Sequence, residues 1–209
     1  MNHAPITNRL QPLRRLVIAV AAVAVLGFGA HSHADSVWLA GNGGLKDSYF
    51  GDLGDGLTVT ITAGNYSNSA YRTAQVGQYS NGLGVTNPTR GDSHMVDGYG
   101  SDDILWFTFN HYVTLKGFSF TYVDWNDDAK LLDGDKDQLK KFDVKNSVWF
   151  DDGYYGKTFG LKAYGSNDEF KVKKIKYHFT PIPTPSAALA GAFSLGLIAL
   201  RRRRKTTDN

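Results

Sequence analysis

Hydrophobic and polar positions fall into three regimes along this chain. Apolar residues run almost uninterrupted from Leu16 to Gly29 and again from Ala187 to Leu200, whereas between about Asp35 and Thr180 they alternate with polar ones. Leu57-Thr58-Val59-Thr60-Ile61-Thr62 is the clearest case, because a period of two puts the apolar side chains on one face of a strand and the threonines on the other. Ile104 to Phe109 is denser and predicts a central strand, after which Asn110-His111 predicts a short turn into Val113-Thr114-Leu115. Beyond Gly117 the apolar parity changes to Phe118, Phe120 and Tyr122, which requires a β-bulge if these side chains are to share one core. The same change recurs between Phe170/Val172 and Ile175/Tyr177/Phe179, with Lys173-Lys174 in between. Strands are also predicted at 148–150 and 158–164, separated by a turn at Asp151-Asp152-Gly153 to Gly156. Loops rich in Gly, Asn, Asp and Ser divide these short strands, and no helical period of useful length appears among them. The pattern predicts an all-β, antiparallel β-sandwich of jelly-roll type.

The flanking runs read as signals. Arg9, Arg14 and Arg15 precede the first, and Ser32-His33-Ala34 offers small residues at the −3 and −1 positions of a cut between Ala34 and Asp35. Residues 1–34 are therefore read as a signal peptide removed by signal peptidase, with an uncleaved signal anchor as the competing reading. The second run follows Pro181-Ile182-Pro183-Thr184-Pro185-Ser186 and ends at Arg201-Arg202-Arg203-Arg204-Lys205. Proline excludes the linker from a helix, and the cations would stop the helix at a membrane face. With about 14 residues, such a helix reaches roughly 21 Å against a hydrocarbon core of about 30 Å. Its shortness suggests a transient sorting anchor, and an ordinary single-pass tail is the alternative. The organisation expected is signal peptide 1–34, sandwich 35–180 and C-terminal segment 181–209, with a short transmembrane helix in the last.

The order of proline motif, small-residue apolar stretch and arginine cluster resembles the PEP-CTERM sorting signal of Gram-negative bacteria. Thr184 stands where that family carries glutamate between its two prolines, here Pro183 and Pro185. The resemblance implies export through the inner membrane, transient anchoring there, cleavage near the motif by a cysteine-dependent exosortase-type transpeptidase, and release to the cell surface or beyond. It also implies the company of extracellular polysaccharide. Within the middle region, Val76-Gly77-Gln78-Tyr79, Met95-Val96-Asp97-Gly98 and Asp102 to Phe109 resemble the ectodomain common in proteins with this tail, over about Leu57 to Leu132. That likeness supports the sandwich and implies no activity.

Charge changes the picture less than its total suggests. The 23 cations and 20 acids give +3, but setting aside the eight cations of the terminal stretches together with Asp35 and Asp208 leaves the middle near −3, which gives no indication of nucleic-acid binding. Cysteine is absent, which removes disulfides, thiolate metal sites and cysteine catalysis together. An exported domain without disulfides relies on its core, to which the 13% aromatic content contributes large buried areas.

Candidate chemistry is sparse. Gly91-Asp92-Ser93-His94 resembles the nucleophile block of GDSL esterases, but no Asp-x-x-His completes a triad, so a polar turn is the better reading. Glu169 is the single glutamate and follows Gly165-Ser166-Asn167-Asp168, so no acid pair stands out for glycoside hydrolysis. Asp133-Gly134-Asp135-Lys136-Asp137 has the alternate-oxygen spacing of a Ca²⁺ loop, yet Gln138 and Val144 occupy the positions of its glycine and bidentate glutamate. A solvated acidic loop balanced by lysines is favoured, with Ca²⁺ at Asp133, Asp135 and Asp137 as the alternative. Trp125, Tyr154 and Tyr155 are placed in loops where rings stack on sugars or, equally in chemical terms, plug a core; for Trp125 the plug is favoured. The histidines are dispersed and show no ligand spacing. The expectation is a non-enzymatic, structural or adhesive protein of the exopolysaccharide matrix that binds carbohydrate. Its competitors are an Asp-based secreted hydrolase and a calcium-stabilised scaffold.

Overall fold

A computed structural model describes residues 33–67, 70–87 and 94–181. Twelve strands follow one another, β1 (His33–Trp38), β2 (Gly44–Lys46), β3 (Ser48–Gly54), β4 (Leu57–Ser67), β5 (Ala70–Tyr79), β6 (Gly82–Thr86), β7 (Val96–Asp97), β8 (Asp102–Thr121), β9 (Asp128–Asp133), β10 (Gln138–Asp143), β11 (Ser147–Ala163) and β12 (Glu169–Phe179). β8 organises the rest. Its N-terminal half lies between β4 and β11, with Phe107 opposite Ile61 on one side and Phe159 on the other. Its C-terminal half keeps β11 on one edge and takes β12 on the other, with Phe118 opposite Val148 and Ile175. β5 joins β4 to β6, and β6 meets β12 where Leu83 faces Val172. The ring β4–β5–β6–β12–β8 thereby closes on itself, while β11, β9 and β10 form a flanking sheet.

This corrects the expected two-sheet jelly-roll sandwich. At 20 residues, β8 is long enough to exchange β4 for β12 along a single edge, so the two sheets of a sandwich become one closed barrel with a flank. The expected transmembrane helix is corrected too. No helix occurs among the described residues, and none is long and apolar enough to cross a membrane, so transient anchoring finds no support and is withdrawn. Residues 187–200, which were to carry it, lie outside the described residues.

Both parity changes are bulges. From Leu115 to Gly117, β8 advances two residues against the single step from Tyr177 to Lys176 on β12, and Gly117 has φ +151°, where a side chain is disfavoured. On β12 the extra residue is Lys173, between Val172 opposite Phe120 and Lys174 opposite Ser119. Asn110-His111, expected to turn the chain, instead lies inside β8. There the span from Thr108 to Val113 faces only Thr158 to Gly156 on β11, so the surplus residues bulge without reversing direction. The Asn110 amide accepts from the Thr58 N–H and donates to the Gly56 carbonyl, each at 2.8 Å, which ties the bulge to the β3–β4 turn. The turn expected at 151–156 likewise belongs to β11, as an irregular stretch between Trp149 opposite Gly117 and Tyr154 opposite Leu115. Lys116 Nζ holds it by donating to the carbonyls of Asp151 and Asp152 at 3.3 and 3.1 Å.

The core is aromatic. Phe107, Phe109, Phe118, Phe159 and Phe170 are fully buried, and Phe118 packs against Phe107, Phe120 and Phe150 at centroid distances of 5.6, 5.9 and 6.3 Å. Each such ring contributes about 3–5 kcal/mol by the usual cost of truncation to alanine.

Candidate functional site

The aspartate run forms the β9–β10 turn. Asp133 Oδ1 accepts from the N–H groups of Asp135 and Asp137 at 3.0 and 2.9 Å, and the Asp133 N–H donates to the Asp137 carbonyl at 3.0 Å. One carboxylate is thus occupied in shaping the turn, as aspartate commonly does. Among the described residues no group of three or more His, Cys, Asp or Glu is arranged to hold a metal ion. What the turn delivers is a cation. Lys136, at φ +72°, carries its Nζ over the Tyr71 ring at 4.7 Å and toward Tyr66 at 5.9 Å.

Trp125 is no core plug, since it is 97% exposed in the turn between β8 and β9. Buried Asp127 fixes that turn by accepting from the Asp124 and Glu169 N–H groups through its carboxylate, while its carbonyl accepts from Val144 N–H at 2.7 Å. Burial pushes the Asp127 carboxyl up from the usual carboxylate range, and the two backbone donors oppose that shift. The two tyrosines separate. Tyr154 turns inward and meets Phe150 edge-on at 5.2 Å, whereas Tyr155 is exposed and stacked on Tyr112 at 5.1 Å and 11°. Among the described residues no ring contact joins Trp125 to either tyrosine. Ala34 and Asp35 lie within β1 opposite His178 and Tyr177, so the predicted cut falls inside a paired strand. Pro183, Thr184, Pro185 and Arg201 to Arg204 lie outside the described residues, as do Gly91 to Ser93.

The structure adds a site that the sequence reading missed. On β4 and β5 and the adjoining β2–β3 link, Asp47, Thr62, Tyr71, Thr73 and Gln75 line a cleft of about 660 Å³. A smaller one of about 200 Å³ is lined by Tyr66, Lys130, Leu132, Lys136, Gln138 and Lys162. Tyr66 and Tyr71 face each other across the β4–β5 ladder, with ring centroids 5.5 Å apart at 64°, and Lys136 caps both. Gly64 makes this possible, because a Cβ there would lie 2.3 Å from the Tyr71 hydroxyl. Beneath Tyr66, buried Ile104, Trp106 and Leu132 form an apolar cluster separate from the main core. Trp106 lies over Gly160, where an added Cβ would meet its ring at 2.6 Å.

Chemically, the larger cleft offers hydroxyls, an amide, an aromatic wall and one carboxylate, Asp47, which accepts from Gln75 Nε2 at 3.2 Å. Near the smaller one, Lys162 is paired with Asp102 at 2.5 Å, leaving Lys130 and Lys136 as its cations without an ion pair among the described residues. This set suits hydrogen bonding to hydroxyl-rich ligands, and its lining supplies no facing carboxylate pair of the kind glycoside hydrolysis uses. The available signal was the polar face of β4 and β5, where Thr60, Thr62, Thr73 and Gln75 alternate with core residues, together with two tyrosines flanking a hairpin. Compared with protein families, curated proteins and solved structures, the chain finds no match.

Proposed function

We propose that this chain is a non-catalytic polysaccharide-binding domain with a structural or adhesive role in an exopolysaccharide matrix, and that the larger cleft, walled by Tyr71, is its glycan site. The observation that carries this reading is the composition of the cleft: an aromatic wall beside Thr62, Thr73 and Gln75, in a volume that suits one or a few sugar rings. Hydroxyl and amide groups match sugar hydroxyls, and the tyrosine face offers the C–H side of a ring a stacking surface. Screening the purified protein on a glycan array tests it, with Tyr71→Ala as the variant. The reading predicts one glycan class retained by the wild type and lost by Tyr71→Ala, and equal retention by both would refute it. The sorting-signal resemblance supports a second element, removal of the tail near Pro183–Ser186 by an exosortase-type transpeptidase. Intact mass of the protein from its own host checks this, because a product still carrying Ala187 to Lys205 would end the idea.

A further inference from the structure

A different surface lies on the outer side of the sheet made by β1, β12, the C-terminal half of β8 and the start of β11. The alternation of β12 sends Val172, Ile175 and Tyr177 to the core and Lys174 and Lys176 outward, and the bulge adds Lys173 beside them. Trp38 of β1 stands opposite Lys174, and both Lys173 and Lys174 bring Nζ to 5.1 Å from its ring. On the other side, Trp149 stands opposite Gly117, which in turn stands opposite Lys176. Because Gly117 has no side chain, Lys176 reaches across it, placing Nζ 3.8 Å from the Trp149 centroid and bonding the Ser147 hydroxyl.

Two features make this more than a solvated face. The indoles remain 60% and 63% exposed although each has a lysine against it, so ring surface is still open. No ion pair among the described residues involves Lys173, Lys174 or Lys176, in a domain where acids outnumber cations. Lys176 is buried to 7% exposure, and its ammonium is disfavoured there by burial and by Lys174. An anion lying along the strip would relieve that cost.

We propose that this face binds an anionic polysaccharide whose sugars bear carboxylates, with rings stacking on Trp38 and Trp149 and carboxylates pairing with Lys174 and Lys176. The indoles are three strand spacings apart, roughly 14 Å, and the two lysines about 7 Å apart along β12, distances that an extended glycan chain spans. Between the rings the face offers Ser36, Ser119 and Ser147, hydroxyl partners for sugar rather than apolar groups for a bilayer. A nucleic acid, with its denser charge, meets the net negative domain less favourably. The face shares no residue with the cleft, so the two sites stand or fall separately.

The test uses the full-length protein against polygalacturonate, neutral dextran, phosphatidylglycerol vesicles and a single-stranded oligonucleotide. The expected result is binding to polygalacturonate over dextran that weakens as salt rises, with Kd raised roughly three- to tenfold in Trp38→Ala and in Lys174→Gln. Tyr71→Ala keeps that affinity. No binding at low salt overturns the proposal, as does unchanged affinity in both face variants or preference for the vesicles or the oligonucleotide. Loss confined to Tyr71→Ala would also overturn it, while leaving the cleft reading intact.

Discussion

Replacing Gly117 by alanine separates two costs that the bulge in β8 combines. At φ +151° a side chain carries backbone strain of about 1–3 kcal/mol. The added Cβ would also lie 2.1 Å from the Val148 carbonyl oxygen, far inside contact distance, so the β8–β11 ladder must shift. Disturbing a buried backbone hydrogen bond costs about 1–3 kcal/mol more. Two further glycines isolate the parts. Gly56→Ala has φ +76° with open space around it and carries only the strain, about 1–2 kcal/mol. Gly84→Ala lacks the positive φ, but its Cβ would lie 1.9 Å from the His94 carbonyl, beside the Val85 N–H to Met95 carbonyl bond of 3.1 Å. Gly117→Ala is therefore expected to cost about 2–6 kcal/mol, centred near about 4 kcal/mol and more than either control. Urea unfolding followed by tryptophan fluorescence measures this as a lowered midpoint at unchanged slope, a shift of about 2 M for a slope of about 2 kcal/mol/M. A Gly117→Ala variant no less stable than Gly56→Ala would mean that the ladder accommodates the methyl and that the bulge does not require glycine.

Two more outcomes follow from charge. Burial depresses Lys171 and Lys176 below the ordinary 10.5, so between their depressed pKa values and 10.5 the native state binds fewer protons than the unfolded chain and stability rises with pH. Tyr177, pushed up to about 12 by burial first and by Asp35 second, acts oppositely and costs stability as pH climbs from 10.0 toward 12. Melting temperatures across an alkaline series should lose the rising part in a Lys171→Met/Lys176→Met double variant, and an unaltered profile would refute the assignment. In the β9–β10 turn, Asp133→Ala removes an acceptor serving two N–H groups and should cost about 1–2 kcal/mol, whereas Asp135→Ala should change stability by less than about 0.5 kcal/mol. A wild-type melting temperature that rises in millimolar calcium but not in Asp135→Ala would reinstate the run as an ion site.

Period-two alternation was enough to locate β4, both halves of β8 and β12, because a side chain buried on one face leaves a mark at every second residue. The bulges at Gly117 and Lys173 were legible for the same reason. Strand ends were less so. Asn110-His111 and Asp151-Asp152-Gly153 carry turn-forming residues, but the Asn110 side chain bonds the Thr58 N–H and Gly56 carbonyl of the β3–β4 turn, Lys116 holds the Asp151 and Asp152 carbonyls, and in both places the strand continues. Closure of the barrel was not readable, since it depends on which edge of β8 each partner takes, and alternation is silent about edges. The cleft escaped for a related reason. Tyr66 and Tyr71 become a wall only through register, and Lys136 joins them from a turn more than sixty residues later in the chain. Trp125 shows the limit of composition, because a tryptophan after a strand reads as a plug until its exposure is known.

The pairing of β1 with β12 sets how the domain would carry load. His33 lies opposite Phe179, so the polypeptide enters and leaves at neighbouring points of one corner. A pull applied between those two ends opens the ladder like a zipper, loading His33–Phe179 first and each pair after it in turn, which is a weak geometry compared with shearing all the bonds at once. A pull between one end and a polymer held on Trp38 and Trp149 runs instead across β1, β12, β8 and β11. Resistance to force would then depend on which attachment is under tension, low for a chain stretched through its own termini and higher for one gripping through its broad face.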